Sequence, residues 1–231
     1  MRIIDLSTKG EQARVEFAGC NLKCPYCVHI HQPSTIKSIQ EIVEFIKNSK
    51  AKEVYLGGAE PTIQKELPEL IDALYTLQIK IILKTSGSKP DMLELVFDRI
   101  DGFVIEVKAP FDDLDAMMEL TGLSRDRSEQ YIQNLKRSIS IAKRKLLRIW
   151  IRVIPEYINT ATLPGILKEI SGASEVMLYQ FLSNPEFDLA FKEYDKPVPA
   201  WNELEQLSEL ILLDIPKVII VGENGKIVRT I

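Results

Sequence analysis

The stretch GCNLKCPYCVH, Gly19 to His29, holds all three cysteines of this 231-residue chain, at spacings of four and three. It follows ARVEFA (residues 13–18), whose β-branched and aromatic residues alternate as in a strand, and it is broken by Gly19 and Pro25, as in a loop. Three thiols cannot all pair within one chain. A tight cluster of them, in a chain with no other cysteine, points to metal or redox chemistry rather than to a disulfide scaffold. Two sites suit the spacing. Structural zinc wants four protein ligands, and His29 or His31 would complete Cys20, Cys24 and Cys27. A 4Fe-4S cluster would take the three thiolates on three of its irons and keep the fourth open to a substrate or cofactor. Gly19 and Pro25 let the backbone wrap closely around such a group.

Beyond residue 35 the chain alternates between short β-branched runs and longer segments of helical period, the pattern of βα units on a mainly parallel sheet. Strands are predicted near 13–18, 53–57, 79–85, 102–108, 146–154 and 175–181. Helices are predicted near 36–48, 63–77, 90–98, 126–143, 160–171 and 200–213, with starts marked by Ser34, Pro61, Pro90 and Pro164. The tail PKVIIVGENGKIVRTI reads as a hairpin turning at Glu223-Asn224-Gly225. Residues 183–201 contain three prolines and no clean period, and are predicted to form a long loop over an opening. The expectation is one domain over residues 1–231, an α/β partial (β/α)6 TIM-like barrel with a C-terminal β-hairpin. Residues 1–181 would carry the motifs, and residues 182–231 a loop, a helix and the hairpin. Active residues would gather at the C-terminal strand ends, where the cysteine loop follows the first strand.

The totals exclude little but consistently. Hydrophobic residues are 45% and charged residues 27% of the chain, as in an ordinary globular protein. A net charge of −4 argues against a protein whose main task is gripping a phosphate backbone. The basic stretch Lys136, Arg137, Lys143, Arg144 and Lys145 reads as a solvated helix face. The start MRIIDLSTKGEQ turns polar at once, and no uncharged run of about 18 residues is present, so a cytoplasmic protein without a membrane span is expected.

Strand alternation also places charge. In IEVKAPF (105–111), Ile105 and Val107 would face helices, which turns Glu106 and Lys108 together into the barrel. On the next strand Ile149, Ile151 and Val153 form one face, and Arg148, Trp150 and Arg152 the other. Charges turned inward need partners.

The pattern C-x3-C-x2-C, Cys20 to Cys27 with Tyr26 before the last cysteine, resembles the cluster motif of the radical S-adenosylmethionine (SAM) superfamily. YLGGAEPT (55–62) resembles the family's Gly-Gly-Glu-Pro segment, with Gly58, Ala59, Glu60 and Pro61 aligned and Ala59 in place of a glycine. KTSG (84–87) is similar to the segment near the SAM ribose. IEVKAPF resembles the Asp-x-Lys segment of glycyl-radical-enzyme activating proteins, with Glu106 where aspartate is commoner. WIR (150–152), LYQF (178–181) and LTG (120–122) resemble further positions in pyruvate formate-lyase and anaerobic ribonucleotide reductase activating proteins. CVHIHQP replaces their usual Cys-His-Asn continuation, and the strand-six histidine is replaced by Gln180 or Phe181.

This resemblance implies a radical SAM oxidoreductase of the glycyl-radical-enzyme activating type, with a 4Fe-4S cluster and SAM as cofactors. It implies Cys20, Cys24 and Cys27 as cluster ligands. Tyr26, Gly58, Ala59, Glu60, Thr85, Ser86, Glu106, Lys108 and Gln180 would be SAM contacts, and Lys108 and Arg152 would be charged groups of the catalytic site. Its implied reaction is reductive cleavage of SAM to a 5′-deoxyadenosyl radical that takes hydrogen from a backbone glycine of a partner enzyme. Flavodoxin or ferredoxin would supply the electron. A radical SAM enzyme acting on a small molecule or nucleobase precursor, like 7-carboxy-7-deazaguanine synthase, is a second reading, and a Cys3His zinc-binding interaction module a third.

Overall fold

The computed structural model describes residues 1–182 and 194–231. The elements run β1 (Arg2–Lys9), β2 (Gln12–Phe17), β3 (Thr35–Ile36), α1 (Ile39–Ser49), β4 (Glu53–Gly58), α2 (Leu67–Tyr75), β5 (Lys80–Thr85), α3 (Pro90–Val96), β6 (Gly102–Val107), α4 (Leu114–Thr121), α5 (Arg125–Ala142), β7 (Leu146–Val153), α6 (Leu163–Ile170), β8 (Glu175–Gln180), α7 (Trp201–Ile211), β9 (Lys217–Gly222) and β10 (Gly225–Thr230). The ten strands of the described residues form one sheet in the order β10-β9-β8-β7-β6-β5-β4-β2-β1-β3. From β2 through β9 neighbouring strands are parallel. Each of the six helical crossovers returns the chain to the next parallel strand, giving the partial barrel.

Local chemistry explains the units. Ser38 opens α1 with a reciprocal capping box: its hydroxyl accepts from the Glu41 N–H at 3.2 Å, and the Glu41 carboxylate accepts from the Ser38 N–H at 2.8 Å. Ile42 and Ile46, one turn apart, are the residues α1 buries. On the strands, one alternate set is apolar and packs under the helices. Val15, Leu56, Leu83, Ile105, Ile149 and Leu178 all belong to that core and are fully buried. The other set forms the inner face, where a smaller cluster of Tyr55, Ile82 and Val104 meets Trp150. The inward turn expected of Glu106 and Lys108, and of Arg148, Trp150 and Arg152, follows from this register.

Three elements escape the sequence pattern. β1 buries only Ile3 and alternates weakly, because it is a rim strand held antiparallel on β2. β3 is two residues long, and α4 is a two-turn helix that ends at Gly122 in the left-handed region. The C-terminal hairpin forms as read from the sequence, with β9 and β10 antiparallel around the 223–224 turn. The sequence pattern does not show that β9 also pairs in parallel with β8 and so extends the sheet. Of the loop expected over 183–201, residues 183–193 lie outside the described residues, and 194–200 carry no helix or strand. Among the described residues, no helix is long and apolar enough to cross a membrane.

Candidate active site

The connection between β2 and β3 carries the three cysteines to the C-terminal end of the parallel strands, and backbone contacts fix its path. The Ala59 N–H donates to the Phe17 carbonyl at 2.9 Å, and the Glu60 N–H donates to the Gly19 carbonyl at 3.0 Å. Gly58 makes this approach possible: its φ is +88°, and a Cβ there would lie 2.6 Å from the Phe17 backbone nitrogen. On the other side the Lys23 N–H donates to the Thr121 carbonyl at 2.8 Å. A Cβ on Gly122 would meet the Lys23 carbonyl oxygen at 2.8 Å. The LTG triplet thus has a task in this chain, which is to seat the cysteine loop.

Cys20, Cys24 and Cys27, all free, line a cleft of about 580 Å³ together with Tyr26, His29, Gly58, Ala59, Lys84, Thr85, Ser86, Glu106, Lys108 and Arg152. Most of the residues singled out from the sequence therefore converge. Burial pushes the Cys20 thiol up to about 12, against the pull of the Leu22 amide. Burial likewise pushes Cys24 up to about 11, with Lys108 pulling the other way. Among the described residues, no three His, Cys, Asp or Glu side chains gather closely enough to hold a single metal ion. The three cysteines line one cleft.

The inner strands supply charge. Lys108, 5% exposed, pairs with Glu106 at 3.1 Å. Burial pushes the Glu106 carboxyl up, but Lys108, Lys84 and Arg152 outweigh it and hold it at about 2. The Tyr26 ring centre lies 5.6 Å from the Lys108 ammonium and 5.2 Å from the Arg152 guanidinium carbon. Its hydroxyl and the Ser86 hydroxyl are buried without hydrogen-bond partners.

Two expected contacts sit elsewhere. Glu60 is fully buried and does not line the cleft. Its carboxylate accepts from the Thr62 N–H, the Thr85 hydroxyl and the Ser86 N–H, at 3.1, 2.7 and 2.7 Å. It ties the end of β4 to the end of β5 and leaves its backbone neighbours, Gly58 and Ala59, facing the cleft. Gln180 pairs with Val153 on the helix side of the sheet. Its amide donates to the Pro199 carbonyl at 2.9 Å and accepts from the Glu223 N–H at 2.9 Å, so it anchors the C-terminal hairpin and the entry to α7. His29 lines the cleft with its Nδ1 buried and unpartnered. His31 does not line it.

Sequence reasoning passed over Lys84, although KTSG contains it. Inward alternation from Ile82 was the available signal. It also passed over the clamp that α5 places on the loop after β5: the Tyr131 hydroxyl donates to the Ser86 carbonyl at 2.9 Å, the Ser138 hydroxyl to the Gly87 carbonyl at 2.8 Å, and the Asn134 amide to the Ser88 carbonyl at 3.1 Å. No local pattern marks these residues.

The donor set fits an iron–sulfur cluster with one open corner. A lone thiolate is unfavourable at Cys20 and Cys24, where burial raises the thiol, and cationic iron would supply the charge that lets them deprotonate. The Leu22 N–H, 3.3 Å from the Cys20 sulfur, is the kind of amide that holds a ligand sulfur in place.

Residues 17–150 match the family described as the Radical SAM superfamily. Over 96% of its length the chain is 26% identical to a Methanocaldococcus jannaschii protein named "Putative glycyl-radical enzyme activating enzyme MJ1227", covering 95% of that protein. It is 28% identical over 57% of its length to 7-carboxy-7-deazaguanine synthase of Clostridium acetobutylicum, spanning 62% of that enzyme. In fold it resembles Streptococcus suis SuiB bound to S-adenosylmethionine, with a TM-score of 0.67 at 17% identity, covering 88% of this chain and 48% of that one.

Proposed function

Because this chain belongs to the radical SAM superfamily, whose members use a 4Fe-4S cluster and SAM, we propose that it activates a glycyl radical enzyme by taking hydrogen from a backbone glycine of that partner. The partner is of the anaerobic ribonucleotide reductase or formate-lyase type. A 4Fe-4S cluster held by these cysteines would supply one-electron reduction of the SAM sulfonium, the chemistry that releases methionine and a 5′-deoxyadenosyl radical. The chain's own residues hold and orient. Cys20, Cys24 and Cys27 hold the cluster, and the strand-end backbone at Gly58 and Ala59 receives the SAM amino group. Lys108 meets the SAM carboxylate, Glu106 its ribose and Tyr26 its adenine, while Ser86 offers a hydroxyl that nothing else engages. Arg152, beside Tyr26, is turned to the substrate side. The reading is supported above all by the likeness to the Methanocaldococcus jannaschii protein, which runs over nearly the full length of both chains. Flavodoxin or ferredoxin is the electron donor in this reading.

The test is anaerobic reconstitution with iron and sulfide, then SAM, a strong reductant and a glycyl radical enzyme from the same genome. The expected result is 5′-deoxyadenosine together with the electron paramagnetic resonance doublet of a glycyl radical. Product nucleoside without that doublet, but with turnover of a free metabolite, would establish the second reading, a radical SAM enzyme for a small molecule. The shared segment with 7-carboxy-7-deazaguanine synthase favours that alternative. Superfamily membership leaves the zinc module without support.

A further inference from the structure

Lys84 is the one lysine of the cleft to which the proposed function gives no task. It stands on the inner face of β5, and its stem runs past Gly57, where a Cβ would lie 3.6 Å from the Lys84 Cβ. Its ammonium lies 4.5 Å from the centre of the Trp150 ring. Among the described residues it makes no ion pair, since Glu106 is paired with Lys108. Trp150 continues into an aromatic wall, with Tyr55 stacked at 6.3 Å between centroids and Tyr179 tilted at 4.9 Å. At the far end the Arg14 guanidinium lies 5.1 Å from the Tyr55 ring centre.

Among the described residues, cations outnumber carboxylates on this face: Arg14, Lys84 and Lys108 share it with Glu16 and Glu106, while Glu175 is committed to Arg148 and Lys217. Hydrogen-bonding capacity is lopsided in the same sense. Among the described residues, the Tyr55 hydroxyl, the Trp150 indole N–H and the Arg14 Nε–H are buried with no acceptor, and Tyr55 is only 5% exposed. Burial also holds the Lys84 ammonium below the usual lysine range, countered by Glu106 and reinforced by Lys108 and Arg152. Among the described residues, Lys84 and these three buried donors have no anionic acceptor, and the aromatic faces beside them suit one carried by a flat or apolar body.

We propose that this wall is the subsite for an anionic group of the hydrogen-donating substrate, with Lys84 as its counter-ion and Tyr55, Trp150 and Tyr179 as the surface against which the adjoining apolar part packs. The inference rests on the radical SAM reading and adds a chemical class to it: the substrate presents a carboxylate-like group beside its reacting carbon. That group belongs either to a free small acid or to an acidic residue in a partner's loop.

The experiment uses the anaerobically reconstituted holoenzyme with SAM bound and calorimetric titration of two isosteres, benzoate and benzamide. Benzoate is expected to bind and benzamide to bind at least about tenfold more weakly, the scale of one charge-assisted contact. Lys84→Met should abolish that preference, and Lys84→Arg should retain it. The proposal is overturned if benzoate does not bind the wild type, if the two probes bind alike, if Lys84→Met keeps the preference, or if SAM and benzoate compete for one place. If the preference is present but the wild type forms no 5′-deoxyadenosine, the anion subsite stands and the radical reading fails. Displacement of benzoate by capped Gly-Asp dipeptide at lower concentration than by free succinate would assign the anion to a partner chain, and the reverse order to a free acid.

Discussion

The Glu60 carboxylate accepts the Ser86 N–H at 2.7 Å, across 26 residues of sequence and from one parallel strand end to the next. The same carboxylate accepts the Thr85 hydroxyl at 2.7 Å. The acid is thus a brace between the ends of β4 and β5. Glu60→Gln turns one accepting oxygen into a donor facing donors. It should lower unfolding free energy by about 2 kcal/mol, read by urea titration, and weaken SAM binding indirectly.

Gln180 is a brace of the same kind. A Cβ at Gly222 would come within 2.7 Å of the Gln180 Cβ and closer still to its amide oxygen. Gly222→Ala should cost about 1–3 kcal/mol of stability by overpacking. Gln180→Ala should lower the melting temperature by loosening the C-terminal hairpin. A SAM dissociation constant that rose tenfold in Gln180→Ala without any loss of stability would return Gln180 to the cofactor.

The thiols predict their own reactivity. In the metal-free protein, Cys24 at about 11 is ionised to the extent of about one part in a thousand at pH 8, and Cys20 less. Alkylation by iodoacetamide at that pH should be slow at both, and fast once urea unfolds the chain. Cys24→Ala should leave reconstituted protein with well under four irons per chain and no 5′-deoxyadenosine.

Glu106 sets an acid limit. Its carboxyl titrates near 2 in the folded chain against 4.5 as the ordinary value, so its contribution to stability is present above pH 4.5 and is lost as pH falls towards 2. The stability gap between wild type and Glu106→Gln should therefore narrow from pH 6 to pH 3 in urea titrations. Lys108→Met removes the ion-pair partner of that carboxylate and leaves it to Lys84 and Arg152, so it should destabilise by about 1–3 kcal/mol at pH 7.

Much of this was legible along the chain because it depends on near neighbours. Six βα units, the hairpin at 223–225 and the loop that gathers Cys20, Cys24 and Cys27 follow from periods of two and of 3.6 and from glycine and proline. Alternation on one strand was enough to turn Glu106, Lys108 and Arg152 inward. What faces a residue across the sheet has no local signature, and the tertiary structure alone decided it. Parallel register set Glu60 against Ser86 and Gln180 against the hairpin, which gave both side chains internal ties. It also set Lys84 on Trp150, and it brought α5, some 45 residues downstream, down onto the loop after β5. A side chain's chemistry belongs to the sequence, but its partner is chosen by the packing of segments that the chain meets only after it has folded.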